Sequence, residues 1–387
     1  VNGRDEIATK RDCKIAVVCD YPEEGWPSMD LAAEMLLAHA PPARQTAQRV
    51  CPPFRRRLGR LPWLGRRRAA FNADRLLNRF VYYPRHVRRG RADFDAFHVA
   101  DHSYAQLVHE LPGGRTGVFC HDLDTFRCLL EPGAEPRPWW FRSLARSVLA
   151  GMQKAAVVFH STADVRRQIE RHGLIDPARL VQAPYGVAAE FTADPAGEEA
   201  LPPAVIALQG RPYLLHVGSC IPRKRIDVLL DAFACLRACR PDLRLVKVGG
   251  PWADSQRQQV ARHGIADSVV QLVGLGRQAV AALYRRAALV LVPSEAEGFG
   301  LPVIEALACG AVVLASDLPV LREVGGDAVV YRPVGDVPAW AEAAGRLLDE
   351  PDAAPARAAR VAHAARYTWA AHAGTIFAAY RRLLGEP

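Results

Sequence analysis

The sequence predicts an α/β protein of two domains, each built on a doubly wound parallel sheet with helical crossovers. Three observations carry that expectation. The chain has 387 residues, more than one hydrophobic core ordinarily organises, so two domains of about 150 to 200 residues are expected. Short apolar runs alternate with helix-period segments from one end to the other, the pattern of parallel strands joined by helices. Between two such series, Ala188 to Gly210 contains Asp-Pro-Ala-Gly-Glu-Glu and Leu-Pro-Pro and reads as a linker.

The elements follow in order. In the first half, strands are expected at Lys14 to Cys19, Ala96 to Ala100, Gly117 to Cys120, Ala155 to His160 and Leu180 to Ala183. Helices fall between them, for example Met29 to His39, opened by Ser28, and Arg142 to Gln153. The second half repeats the pattern, with strands at Tyr213 to Val217, Leu243 to Val248, Val269 to Val273, Leu289 to Val292 and Ala311 to Ala315. Its crossover helices are expected at Ile226 to Ala238, Asp254 to His263, Ala279 to Ala287 and Val303 to Ala308, followed by Ala341 to Leu348. A last helix after Tyr367-Thr-Trp369 places Trp369, Phe377, Tyr380 and Leu384 at helix spacing and needs a partner surface. The expected domains are 1–187, a linker at 188–210, 211–366, and a C-terminal helix at 367–387.

Composition narrows the class. With 50% hydrophobic and 24% charged residues, the chain groups with ordinary globular proteins and not with disordered or fibrous ones. No apolar run reaches the roughly 18 residues of a membrane span. The first apolar run, Lys14 to Asp20, is too short for the core of a signal peptide, so a cytoplasmic location is expected. Nine cysteines, odd in number, scattered and without a CxxC pair, read as buried thiols of a reducing compartment.

Charge is uneven. From Arg44 to Arg91 there are fifteen Arg against one acid, Asp74, a local +14 within a net +9, which leaves −5 for the rest of the chain. That stretch carries Pro52, Pro53, Pro62 and Pro84 and is expected to form surface loops and short helices. An anionic surface or acceptor would meet the protein there, and a solvated Arg-rich face is the alternative.

In a doubly wound sheet, ligands bind beyond the carboxyl ends of the strands, where helix N-termini offer free N–H groups. Val292 to Gly310 reads as strand end, glycine loop and helix, with Gly298 and Gly300 permitting close backbone approach and Pro302 suited to a first helical turn. Glu297 and Glu305 can face one crevice, and paired carboxylates beside an anion-binding loop suit a ligand rich in hydroxyls. A loop acid and a helix-terminal acid complementing the dipole is the plainer alternative. A second loop, His216 to Arg225, sets Arg223, Lys224 and Arg225 in succession before a helix. A diphosphate would neutralise them; a surface turn with snorkelling cations is the alternative.

These residues resemble the retaining glycosyltransferases of family 4, closely from about Tyr213 to Asp336 and more weakly elsewhere. The resemblance rests on Glu297 and Glu305 within Glu-Gly-Phe-Gly-Leu-Pro and Glu-Ala-Leu-Ala-Cys-Gly, on Val-Gly-Ser with Arg-Lys, and on Val-Gly-Gly at Val248 to Gly250. It implies the GT-B fold, two facing Rossmann-like domains with the C-terminal helix crossing back to the first. It implies transfer of a hexose, mannose or glucose, from a GDP- or UDP-linked donor to an acceptor hydroxyl with retained configuration, and no cofactor or metal. Donor contacts would come from Ser219, Arg223, Lys224, Gly249, Gly298, Phe299, Gly300, Leu301 and Glu305. Catalytic roles fall to Glu297 and His121. Gly25, His102 and Tyr104 are acceptor candidates by position. Asp122-Leu-Asp124 is similar to the DxD metal motif of the other large glycosyltransferase fold, but the nucleotide signals lie in the other domain, so these acids read as caps.

Two departures stand out. Ser219 occupies a position where many members carry Arg, which leaves Arg223 or Arg225 as the second phosphate cation. Only Gly25 appears where many members carry paired glycines. Partners implied are a nucleotide sugar and a glycan, glycolipid or small-molecule acceptor, in synthesis of a surface polysaccharide, glycolipid or glycoconjugate, with no nucleic acid. An anionic membrane could engage Arg44 to Arg91. Other readings are a nucleotide-sugar-binding protein without transfer activity and a binder of anionic polymers or membranes; the strand-and-glycine-loop pattern has no use in the polymer reading.

Overall fold

The computed structural model describes residues 13–41, 45–60, 68–195, 197 and 201–385. The chain divides into two compact units, one of Val1–Pro184 with Trp369–Pro387 and one of Tyr185–Thr368.

The first unit holds a six-stranded parallel sheet in the order β2-β1-β3-β4-β5-β6. Its strands are β1 Cys13–Val18, β2 Gln45–Val50, β3 Ala96–Val99, β4 Thr116–Cys120, β5 Val157–His160 and β6 Leu180–Gln182. The central strands are apolar because helices cover both of their faces. β2 lies at the edge, beside β1, and its Gln-Thr-Ala-Gln-Arg-Val reflects that half-exposed position. This corrects the expectation that the Arg-rich stretch holds only loops and short helices. Beyond β2, residues 51–57 are loop, Leu58–Arg60 is a 3-10 turn, and Arg68–Leu77 runs as helix through Asn78–Tyr82 into Tyr83–Gly90. Asp74, the lone acid there, is buried and accepts the N–H groups of Arg57, Leu58 and Gly59 at 3.1, 2.9 and 2.9 Å. Burial pushes that carboxyl up, but the three N–H donors and Arg56 outweigh it and hold the group low. Arg44 lies outside the described residues.

Helix starts differ from expectation where proline decides them. The first helix spans Pro27–Ala38, with Pro27 in its first turn and Trp26, not Ser28, as the cap residue. The helix Trp139–Lys154 packs on the 3-10 segment His102–Glu110 at Gly151, where a Cβ would stand 1.9 Å from Ala105 O. The last helix, Trp369–Leu383, buries Trp369, His372, Ile376, Phe377 and Tyr380 in this unit.

The second unit holds a six-stranded parallel sheet in the order β12-β11-β10-β7-β8-β9. These are β7 Tyr213–Val217, β8 Arg244–Val248, β9 Val269–Leu272, β10 Leu289–Val292, β11 Val313–Ser316 and β12 Val330–Arg332. Counted within the unit, the order is that of the dinucleotide-binding fold, and its topological switch lies between β7 and β10. In the first unit the switch lies between β1 and β3. β12, three residues long and at the edge, was too short to carry a periodic signal. The nine cysteines are free thiols, mostly buried; Cys235 and Cys239 depart from expectation by being exposed. Among the described residues no helix is long and apolar enough to cross a membrane.

Candidate active site

The switch point of the second unit brings the loop after β7 against the loop after β10. Lys224 ends a 3-10 turn, Pro222–Lys224, and Arg225 follows at φ 47. That left-handed residue costs about 1 kcal/mol, and it aims the helix Ile226–Cys239 back onto the sheet. The Arg225 guanidinium is held by Asp227 at 2.8 Å and Glu295 at 3.4 Å, so its charge is spent on the loop itself. Glu295 N–H donates to Arg223 O at 2.9 Å, and the Arg223 guanidinium donates to Ala296 O at 3.3 Å. The two loops are therefore one rigid piece.

Within it, the Lys224 ammonium donates to both oxygens of Glu297, at 2.6 and 2.8 Å, and Ser294 Oγ donates to Glu297 Oε1 at 2.6 Å. Arg223 stands 3.9 Å from Glu297 Oε2. The Lys224 and Glu297 side chains are 13% and 6% exposed. Burial pushes the Glu297 carboxyl up, but Lys224, Ser294 and Arg223 outweigh it and hold the group below the ordinary glutamate range. Glu297 is thus an ionised carboxylate in a nearly dry setting.

Gly300, at φ 96, turns the chain into the helix Leu301–Ala308, with Pro302 in its first turn. Phe299 is buried between Tyr185 and Tyr367, with ring centroids 5.0 and 5.8 Å away, which steadies Gly298 and Gly300 on either side of it. Glu305 lies in this helix, 9% exposed, and the Tyr284 hydroxyl donates to its Oε2 at 3.4 Å. Burial raises the Glu305 carboxyl to about 7, against the opposing pull of Tyr284 and Arg277. The two glutamates are therefore in opposite states, one fixed as an anion and one poised to titrate.

Ser219 is exposed on the loop after β7. Gly249, at φ 119, follows β8, and a Cβ there would stand 2.1 Å from Gly218 O. The glycine lets the two loops meet backbone to backbone.

In the first unit, the loops after β1 and β3 flank the other switch point. Gly25, at φ 72, closes the turn Pro22–Glu24. Tyr104 is buried, and its hydroxyl donates to Glu24 Oε1 at 2.8 Å beneath the Arg79 guanidinium, 4.0 Å over the ring. His121 follows β4 and is buried; its Nε2 lies 2.8 Å from Ala100 O, and its backbone N–H donates to His102 Nδ1 at 3.3 Å. Burial lowers the His121 imidazole to about 4, so at neutral pH it is uncharged. Asp122 Oδ1 accepts Asp124 N–H at 3.0 Å, a local turn. Among the described residues no cluster of His, Cys, Asp and Glu fits a metal ion.

Sequence reasoning missed Ser294 and Tyr284, and with them Asp20. Asp101 accepts the Ser103 N–H and hydroxyl at 2.7 and 2.6 Å, while burial and the Asp101 charge push the Asp20 carboxyl well up. For Ser294 and Asp20 the available signal was a polar residue two positions past an apolar strand; Tyr284, inside the helix Arg277–Arg286, offered none.

Residues 199–366 match the family described as glycosyl transferases group 1. The D-inositol 3-phosphate glycosyltransferase of Nocardia farcinica is 34% identical over 269 residues, 66% of this chain and 58% of that protein. Its counterpart in Thermobispora bispora is 37% identical over 184 residues, 44% of this chain and 43% of that protein. The chain thus spans about half the length of the curated relatives it matches. The Anabaena protein HepE, solved with UDP and glucose, aligns over 95% of this chain and 98% of its own, with a TM-score of 0.71 at 15% identity. Sucrose-phosphate synthase from Thermosynechococcus elongatus covers 96% and 99%, with a TM-score of 0.73 at 19% identity. At such identities the likeness establishes the fold. Residues 199–366 thus match the group 1 glycosyltransferases, and the fold is GT-B.

Proposed function

We propose that the chain moves a hexose, mannose or glucose, from a nucleoside diphosphate donor to an acceptor hydroxyl with retained anomeric configuration and without a metal. The observation that carries this reading is the Lys224–Glu297–Ser294 constellation at the switch point, with Glu297 on the loop that leads into the helix of Glu305. The solved complex of HepE with UDP and glucose supports a nucleotide-linked donor.

An ammonium has three donors. Two are directed at Glu297, and the third serves a phosphate oxygen of the leaving diphosphate. Arg223 and the first amides of the helix Leu301–Ala308, together with Gly298 to Gly300, complete that cradle and take the place of a metal's charge. The bond from the anomeric carbon to the phosphate oxygen breaks as the acceptor oxygen attacks from the same side. The acceptor's proton passes to the departing phosphate. The Glu297 carboxylate offsets the positive charge that develops on the sugar, Glu305 accepts the ribose hydroxyls, and His121 accepts or donates to the sugar as a neutral imidazole. The acceptor is a glycan, glycolipid or small molecule, and the Arg-rich stretch Arg44 to Arg91 favours one presented at an anionic, cytoplasmic membrane face.

Release of nucleoside diphosphate from UDP- and GDP-linked glucose and mannose tests the reading. Lys224→Ala is expected to slow release by about 100-fold. Equal, background release from both proteins would remove the enzymatic reading.

Glu305 adds a pH signature. Its ionised form accepts two hydroxyls, so donor binding expels the proton held below about 7. Nucleoside diphosphate affinity should fall by up to about ten-fold per pH unit below that point and level off above it. Calorimetry at pH 6 and pH 8 checks this; Glu305→Gln should bind more weakly and with a flat profile. An equally steep profile in the variant would assign the proton to another group.

A further inference from the structure

β7, β8 and β9 each carry a polar residue at the last position but one. These residues, His216, Lys247 and Gln271, lie in register across the three strands, so they share one face of the sheet. Strands covered on both faces are ordinarily apolar, yet His216 is 1% exposed and Lys247 is fully buried. Lys247 is also one of five lysines in a chain with 45 arginines.

The row lies under the two glycine loops that meet at Gly218 and Gly249. Lys247 Nζ donates to Gly250 O at 2.6 Å, and Gln271 Nε2 and Cys220 Sγ donate to the same carbonyl at 3.0 and 3.2 Å. The Trp252 ring lies 5.4 Å from the ammonium. Among the described residues no carboxylate pairs with Lys247. A carbonyl and a ring face orient a buried ammonium but do not neutralise it, and an unneutralised buried charge is costly.

His216 links this lower tier to the upper one. Its Nδ1 lies 2.9 Å from Leu291 O, so in the neutral ring that nitrogen carries the proton and Nε2 presents a lone pair. Nε2 has no hydrogen-bond partner and would stand 3.1 Å from a Cβ on Gly218, directly below the loop. Burial, then the ammonium groups of both Lys224 and Lys247, lower this imidazole to about 4.

We infer that Lys247 is a positioning residue for the donor diphosphate, fixing the Gly249–Gly250 loop through Gly250 O and supplying positive charge from below while Lys224 supplies it from above. This rests on the nucleoside diphosphate reading of the site.

Calorimetry with UDP, GDP, uridine and guanosine tests it. Lys247→Gln keeps a donor for Gly250 O and removes the charge. It should weaken the preferred nucleoside diphosphate about ten-fold and leave the matching nucleoside within about two-fold. Gln271→Met, which removes a loop anchor without changing charge, should leave the ratio of the two affinities unaltered. Wild-type affinity in Lys247→Gln, or equal losses for diphosphate and nucleoside, would overturn the inference. Failure of the wild-type protein to bind either diphosphate would instead strike the functional reading beneath it. If Lys247→Gln does not fold, Lys247→Arg is read in its place: a retained charge should hold diphosphate affinity within about two-fold, and a ten-fold loss would overturn the proposal.

Discussion

Replacing Lys224 by methionine should destabilise the second unit by about 3 kcal/mol at neutral pH, because it strands the buried Glu297 carboxylate. In the wild-type protein the Glu297 carboxyl is held below its ordinary value of 4.5. Its stabilising contribution is therefore full above that pH and is lost as pH falls through the depressed folded value. In Lys224→Met the sign reverses. Burial is then opposed by Ser294 and Arg223 without the ammonium, the carboxyl is expected to rise above 4.5, and the variant loses stability as pH increases from there. The gap between the two proteins should thus be wide at neutral pH and narrow toward the ordinary glutamate range. Urea unfolding at the two conditions measures it. Lys224→Met combined with Glu297→Gln should recover most of the loss, since no charge remains to be stranded. A deficit independent of pH, or a double variant no better than the single one, would show that the pair does not carry the energetics of this loop.

Gly249→Ala should cost about 3 kcal/mol and abolish nucleotide binding, whereas Gly250→Ala next to it should be nearly silent. The difference comes from position alone. Gly249 sits at φ 119, and its added methyl group would stand 2.1 Å from Gly218 O, a backbone atom that cannot rotate away. At Gly250 the nearest atom is Cys220 N at 3.7 Å, an ordinary contact. To accommodate a methyl group on Gly249 one of the two loops must move, and both carry the site. Denaturant midpoints and nucleoside diphosphate titrations of the two variants settle it; similar behaviour of both would mean that the loops are not locked together.

The buried parallel strands were legible because a continuous apolar run bounded by turns suits little besides a strand covered on both faces. The two strands missed, β2 and β12, are edges, and edge residues answer to solvent as much as to a core. Lys224, Glu297 and Glu305 could be singled out from spacing and loop chemistry. Their division of labour could not, since it depends on a contact across 73 positions between Lys224 and Glu297 and on a tyrosine from a different helix beside Glu305. The fate of Arg225 was equally hidden. A triplet of cations looks uniform in sequence, yet the left-handed turn sends the third toward Asp227 and Glu295. His216 and Lys247 were visible as polar interruptions of apolar strands, but only the strand register shows that they form one row.

The first unit is assembled from both extremities of the described chain, whereas the second is one uninterrupted segment. The Tyr380 hydroxyl from the last helix donates to Phe97 O at 2.9 Å and takes a bond from His98 Nδ1 at 3.1 Å. It also lies over Gly117, where a Cβ would come within 2.5 Å of it. On the ribosome, then, birth order and completion order are opposed: β3 and β4, made early, keep an open flank until the helix Trp369–Leu383 arrives, while the middle of the chain can finish alone. Removing that helix would be felt first in the sheet that holds His121, not in the one that holds Lys224.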